Sequence, residues 1–283
     1  MSARSVITAR QERLGAELRR LRERAGLTGR EAARGMGFAE TRISAVEGAR
    51  VGVSAERVRY LASQYACDNS ALIDALAAMA DERGRGWWEE YRGLVPSGYL
   101  DLAELEDRAA YLSTFQTVHV PGLLQTEEQL NAVFSTSVPR LSDDEIERRV
   151  QFRLHRQRIL EADRTVPYRA LVHEAALRIK AADSKAARRQ LLHILERSEL
   201  PQVTVRVIPF EVDGFAGVVH PLLYAGGPVP QLDTVLVEGQ HGGAFLDAEA
   251  QLARYRQALH QVEQAALGVI ESREFIHRLA QSM

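Results

Sequence analysis

The feature that most constrains this chain is the stretch Leu27 to Arg50, LTGREAARGMGFAETRISAVEGAR, in which two short amphipathic segments flank a glycine. Thr28 is placed to N-cap the first segment, because a threonine hydroxyl accepts from a backbone N–H that the first helical turn leaves without a partner. Ala32, Ala33 and Met36 recur at helical spacing and form a small apolar face. Gly37 supplies the positive φ that a tight turn between helices demands, and Phe38 follows as an apolar anchor. In the second segment, Ala39 to Glu47, helical spacing turns Ile43 and Val46 inward and leaves Glu40, Thr41, Arg42, Ser44 and Ala45 facing out. Side chains as small as Ala32 and Ala33 let two helices cross closely at a steep angle, which is the geometry of a helix-turn-helix. The second helix of such a pair fits a major groove.

The flanks extend the pattern. Gln11 to Ala25 reads as a helix with Leu14, Leu18 and Leu21 on one face and Arg13, Arg19, Arg20, Arg22 and Arg24 around the rest; Gly26 ends it and Leu27 docks the next segment. Ser54 caps a fourth helix presenting Val58, Leu61, Ala62 and Tyr65, and Asn69 or Ser70 opens a fifth through Leu72, Ile73, Leu76 and Met79. The expectation is a five-helix N-terminal domain over residues 1–80, a boundary in DERGRG from Asp81 to Gly86, a linker over residues 81–100 and a second domain over residues 101–283.

Charge separates the two ends. Met1 to Tyr65 holds 13 Arg and no Lys against 7 Glu and no Asp, a net +6, so a chain of net charge -2 carries -8 on the remainder. A basic head on an acidic body is the electrostatic footprint of a protein that meets nucleic acid with one end only.

The central stretch resembles the lambda-repressor-like helix-turn-helix of the XRE (Cro-like) family, on Leu27, Thr28, Glu31, Ala33, Gly37, Ile43, Glu47 and Arg50. The resemblance implies a structural salt bridge between Arg22 of the first helix and Glu47 near the end of the recognition helix. The chain departs from the family at Gly29, where a glutamine is usual, at Ala39, where a capping Ser or Thr is usual, and at Ala45, where a longer polar residue often reads a base. Arg42 is the expected base reader, because a guanidinium bridges O6 and N7 of a guanine; Glu40, Thr41 and Ser44 are lesser readers, with Ala39 and Ala45 completing the face. Thr28, Arg30 and Arg50 flank that helix and are expected to hold phosphates, which fix register but not sequence. One head reads only a half-site, so the expected partner is double-stranded DNA carrying a pseudo-palindromic operator, bound by a homodimer with half-sites about one helical turn apart.

The second half mixes signals. Trp87, Trp88 and Tyr91 form an aromatic group whose readings are linker packing, favoured here, a ligand platform or an inter-subunit anchor. Leu102, Leu105, Ala109 and Leu112 follow at helical spacing, then a Pro-Gly turn at Pro121 and Gly122, a helix from about Thr126, and a Ser142/Glu145 capping box for a long helix through Leu160. Strand signals come beyond Asp163, at Val166–His173, Val203–Pro209, His220–Tyr224 and Thr234–Glu238, with helices at Glu174–Ile179 and Lys185–Glu199 between the first two. DGFAGV from Asp213 reads as a turn and AGGPVPQLD from Ala225 as a loop, and two helices close the chain, Asp247–Leu267 and one carrying Phe275, Ile276 and Leu279. The expected fold is mainly α, with an α+β C-terminal domain built on a small sheet of about four strands. The order WWEEY, VPGLLQT, ERRVQFRLHRQRIL, VTVRVIPF and TVLVEG resembles an actinobacterial regulator family that includes the WhiJ-like proteins. That resemblance implies a DNA-binding regulator often encoded beside a small acidic partner protein.

Chemistry beyond binding has little to stand on. The eight histidines are dispersed and Cys67 is alone, so no metal site is expected. His173 beside Glu174 reads as structural, the glycine pairs Gly226/Gly227 and Gly242/Gly243 as turns, and Glu104, Glu106 and Asp107 as a solvated helix face. No GxSxG, Walker A loop or GxGxxG occurs, so neither catalytic residues nor a cofactor are expected. No run of about 18 apolar residues and no apolar leader are present, which predicts a cytoplasmic protein without a membrane span. The body is then a dimerisation element that senses a small-molecule effector or a small acidic partner protein. A pocket of convergent polar groups would favour the first and an apolar groove the second. The alternatives are an antitoxin-like adaptor and an enzyme tethered to DNA.

Overall fold

In the computed structural model, which describes residues 7–82, 86–161, 166–213, 215, 220–239 and 242–283, the N-terminal unit Met1–Trp87 carries five helices among those residues. They are α1 (Ala9–Arg24), α2 (Gly29–Gly35), α3 (Glu40–Glu47), α4 (Ala55–Gln64) and α5 (Ser70–Asp81). Local chemistry starts four of them: Thr8 with Gln11 and Thr28 with Glu31 form capping boxes on α1 and α2, Ser54 accepts from Arg57 N, and Asn69 accepts from Leu72 N. Ala39 gives α3 no side-chain cap. Gly26 and Gly37 turn the chain at φ 71° and 65°, values that an L side chain resists. Leu14, Leu18 and Leu21 of α1, Val58, Leu61 and Ala62 of α4, and Leu72 and Leu76 of α5 are buried, and with Ile43 and Val46 they close the core of this unit.

The second unit, Trp88–Met283, begins inside the 3-10 turn Trp87–Tyr91, so most of residues 81–100 belongs to it; residues 83–85 of the expected boundary lie outside the described residues. Its helices are α6 (Ser97–Arg108), α7 (Glu127–Ser135), α8 (Asp143–Gln157), α9 (Glu174–Arg178), α10 (Ser184–Arg197), α11 (Glu249–Ala265) and α12 (Val269–Gln281). They surround a mixed sheet of β1 (Tyr111–Gln116), β2 (Tyr168–His173), β3 (Val203–Ile208), β4 (Leu222–Gly226), β5 (Thr234–Gly239) and β6 (Gly242–Leu246), in the order β3-β2-β1-β4-β5-β6. β1, β2 and β3 run parallel, and β4, β5 and β6 continue the sheet antiparallel from β1.

Six strands replace the four expected. The helical spacing that runs to Leu112 stops short: α6 ends at Arg108, Ala109 is already extended (φ -70°, ψ 145°), and Tyr111–Gln116 becomes the third strand from the β3 edge. Four consecutive residues of β1, Leu112 to Phe115, are buried, so both of its faces are covered and no polar-apolar alternation marks it. Gly242 and Gly243 are not the turn but the start of β6, paired with Gly239 and Glu238. A side chain at Gly243 would stand 2.6 Å from Leu236 Cδ1 and would have to displace the end of that side chain, a contact that glycine avoids. The turn expected at DGFAGV lies largely outside the described residues.

Helices cover both faces of the sheet. Leu191 and Ile194 of α10, with Ile276 and Leu279 of α12, pack on Val203, Val205 and Val207, while Leu252, Leu259 and Val262 of α11 pack on Phe115, Leu171, Tyr224 and Val235. The body is therefore three-layered. No helix among the described residues is long and apolar enough to cross a membrane.

Candidate nucleic-acid interface

Helix α3 is held from behind by α1. Ile43 and Val46 are buried, and the backbone of Val46 and Glu47 comes so close to α1 that a side chain at Gly15 would lie 3.0 Å from the Val46 carbonyl oxygen and 2.9 Å from the Glu47 carbonyl carbon. About two turns further along α1, Arg22 donates from Nε to Glu47 Oε1 at 2.7 Å and from Nη2 to Glu47 Oε2 at 2.9 Å, and its Nη1 donates to the Leu27 carbonyl at 2.7 Å. That bidentate pair ties α1, the α1–α2 turn and the C-terminal end of α3 together. Its hydrogen bonds to Glu47 raise the Arg22 pKa further, and burial, with the Glu47 charge second, pushes the Tyr65 phenol up to about 12.

The opposite face of α3 is open. Glu40, Thr41, Arg42 and Ser44 are exposed, Ala39 precedes them exposed, and Ala45 is half-buried. Arg42 lies with its guanidinium carbon 5.5 Å from the centroid of the Phe38 ring, and Arg57 at the start of α4 lies 4.9 Å from the same ring. A ring quadrupole that attracts both cations holds two positive side chains beside the N-terminal turn of α3. Arg50 reaches back to Ser44, donating from Nη2 to its hydroxyl at 3.1 Å and to its carbonyl at 3.3 Å. Arg30 of α2 pairs with Glu40 across the turn at 3.3 Å. The Thr28 hydroxyl is engaged in its cap, accepting from Glu31 N at 3.2 Å and donating to Glu31 Oε2 at 2.6 Å; that donated bond, and after it one from the Thr28 backbone N–H at 2.8 Å, holds the Glu31 carboxyl below the usual carboxylate range. The nine expected contact residues thus fall on α3 and its two flanks, with Arg30, Arg50 and Thr28 already engaged inside the unit.

Two participants were not read from the sequence. Arg57 looks like one more exposed arginine until α4 is packed beside Phe38. Gly15 carries a faint signal, since a glycine inside an amphipathic helix costs about 1 kcal/mol against alanine and so asks for a packing reason.

The other titratable groups weighed in the sequence fall in the second unit. His173 accepts from Ala175 N at 3.1 Å and caps α9, and burial lowers its pKa. Glu174 is buried, accepting from Phe210 N at 2.9 Å and pairing with Arg178. Glu104 and Asp107 are half-buried, whereas Glu106 is fully buried, which corrects its reading as part of a solvated face: α8 lies over it and brings Arg156 to 3.0 Å. Among the described residues no group of three or more His, Cys, Asp and Glu is placed to hold a metal ion.

The chain matches two family models. One, described as a helix-turn-helix domain, covers residues 13–76, from α1 to α5, and the other, described as a domain of unknown function (DUF5753), covers residues 99–278. No curated protein and no solved structure matches the chain.

Proposed function

We infer that this chain, which belongs to the DUF5753 family and carries a helix-turn-helix at its N-terminus, is a sequence-specific transcriptional regulator of the lambda-repressor-like, XRE type. The observation that carries this reading is the two-sidedness of α3. Its inner face is fixed by Ile43, Val46 and the Glu47–Arg22 pair, and its outer face offers Glu40, Thr41, Arg42 and Ser44 from a unit rich in arginine. In this reading Arg42 leaves the Phe38 ring for a guanine edge, and Arg30, Arg50 and the N-terminal end of α2 at Thr28 meet phosphates. Glu40 and Ser44, which hold Arg30 and Arg50 in the absence of DNA, keep those cations near the helix until phosphates replace them.

The body dimerises and places two heads on a pseudo-palindrome, acts in the cytoplasm, and performs no catalysis. It belongs with the WhiJ-like regulators in this reading. Its input is a small molecule in preference to a small acidic protein, which is supported by a polar-lined cavity beneath α6 and α8.

Binding-site selection with the full chain, followed by gel-shift titration at fixed salt, tests the assignment. Arg42→Ala is expected to cost about 1–3 kcal/mol on the selected site and to relax discrimination at one position. An unchanged affinity and an unchanged site would remove Arg42 as a base reader, and equal binding to every duplex would remove the function.

A further inference from the structure

We propose that the cavity between α6, α8 and the sheet of the second unit binds a compact oxyanion, a carboxylate or a phosphate, between Arg153 and Arg156. The proposal rests on the reading of the body as the sensor of a small molecule and gives that sensor a place and a chemistry.

The cavity holds about 50 Å³ and is walled by Leu102 and Glu106 of α6, Arg153 and Arg156 of α8, Tyr168 of β2 and Glu238 of β5. That volume accepts roughly three to five waters, or an anion of similar size. Three buried polar atoms on its walls have no hydrogen-bond partner: Arg153 Nε, Arg156 Nε and Glu106 Oε2. Arg156 Nε lies 3.0 Å from Glu106 Oε2 as an ion pair without a hydrogen bond between them, and both side chains are more than nine-tenths buried. Buried donors of a charged group are almost always satisfied, so Nε–H groups without a hydrogen-bond partner on two arginines that line one small space leave room for a further acceptor.

The surroundings fix the two arginines in place. Arg153 lies 5.1 Å from the Phe134 ring centroid and 5.8 Å from that of Tyr99, and donates from Nη1 to Gln125 Oε1 at 3.3 Å. Arg156 lies against the turn at Gly122, where a side chain would come within 2.5 Å of its Nη2 and push the end of the guanidinium aside. Burial, and after it the neighbouring Arg156 charge, lowers the Arg153 pKa; an anion between the two cations removes that repulsion. A cation placed there would meet both guanidiniums.

Proton uptake accompanies binding. Glu106 is faced by Arg156 and Arg153 from α8, by Tyr168 from β2 and by Glu238 from β5, and burial is the first of the effects that push its carboxyl up to about 7. An incoming anion favours the protonated form, so affinity should rise by up to about tenfold from pH 8 to pH 6.

The test titrates the full chain with sodium acetate and, separately, sodium phosphate against sodium chloride at constant ionic strength, following amide hydrogen exchange in α6 and α8. Saturable protection is expected, by acetate if the site takes a carboxylate and by phosphate if it takes a phosphate. Arg153→Gln should weaken it roughly tenfold to hundredfold, and Glu238→Gln, an exposed change that leaves the packing alone, should tighten it about twofold to fivefold. No saturable protection beyond chloride with either anion, or the same response in parent and both variants, overturns the proposal. Operator binding by the same preparation is measured independently: if it persists while both anions fail, the site is lost and the DNA reading stands, and if it is absent while an anion binds, the reverse holds.

Discussion

Gly15→Ala separates helix propensity from helix contact at the point where α1 passes behind α3. Alanine inside a helix gains about 1 kcal/mol over glycine. Against that gain, its Cβ would stand 2.9 Å from the Glu47 carbonyl carbon, 3.0 Å from the Val46 carbonyl oxygen and closer still to the Glu47 carbonyl oxygen. An ordinary contact begins near 3.4 Å, so the helices must part by at least about 0.5 Å, the difference between 3.4 and 2.9 Å. The obstacle is backbone, and no side-chain rotation relieves it. Overpacking of this kind costs about 1–3 kcal/mol, which leaves a net loss of about 0–2 kcal/mol once propensity is counted. The loss should fall on α3, whose inner face depends on this crossing and on the Arg22–Glu47 pair beside it. Amide hydrogen exchange on the full chain reads each helix separately: α3 should exchange up to about thirtyfold faster, α11 should not change, and operator affinity should fall with the shift of α3. Gly35→Ala is the control, because a Cβ there meets nothing within 4 Å; it should gain stability and leave α3 as protected as before. If Gly15→Ala keeps both the exchange of α3 and the operator affinity of the parent, Gly15 is not a spacer between α1 and α3.

Three further outcomes follow from the same geometry. Arg22→Met leaves Glu47, whose side chain is only 10% exposed, without its partner; it should cost about 2–4 kcal/mol in α3 protection, and a cycle with Glu47→Met in which the single costs simply add would show that the pair does not couple. Ala66 sits exposed at φ 51° just past α4, so Ala66→Gly should stabilise the first unit by about 0.5–1 kcal/mol in thermal unfolding, and a lowered midpoint would contradict it. Glu106 keeps its proton in the folded state to about pH 7, whereas the unfolded chain loses it near 4.5. Its contribution is therefore whole below the unfolded value and is lost as pH rises toward 7, to the order of 1–3 kcal/mol, and urea titrations of Glu106→Gln should lack that slope.

What the sequence disclosed and what it withheld divide by how far apart the deciding residues lie. The Thr28 cap and the Ser142/Glu145 box are each decided within four residues, and both structural caps are made by those residues. The outward face of α3 is legible because Ile43 and Val46 alone fix its rotation. β1 was hidden for the opposite reason: its neighbours β2 and β4 begin more than fifty residues further along, and with both faces covered it carries no alternation of its own. The spacing of α6 simply ran on through it. β6 was hidden by its glycines, which local rules assign to turns although here both pair in the sheet, with Gly239 and Glu238.

Glu106 shows the same division at a single residue. Three carboxylates within one helical turn describe a wet face when α6 is taken alone, and Glu104 and Asp107 do stay partly open. What buries Glu106 is the arrival of Arg153 and Arg156 from α8, and they are charged residues that on their own helix also look solvent-bound. Each element by itself reads as surface, because a charge is assigned to water by default. Only their opposition creates an interior with charge, unpaired N–H groups and space. A binding site of this kind leaves no motif in the sequence, since its parts are ordinary residues whose chemistry changes when two helices from different parts of the chain close on the sheet.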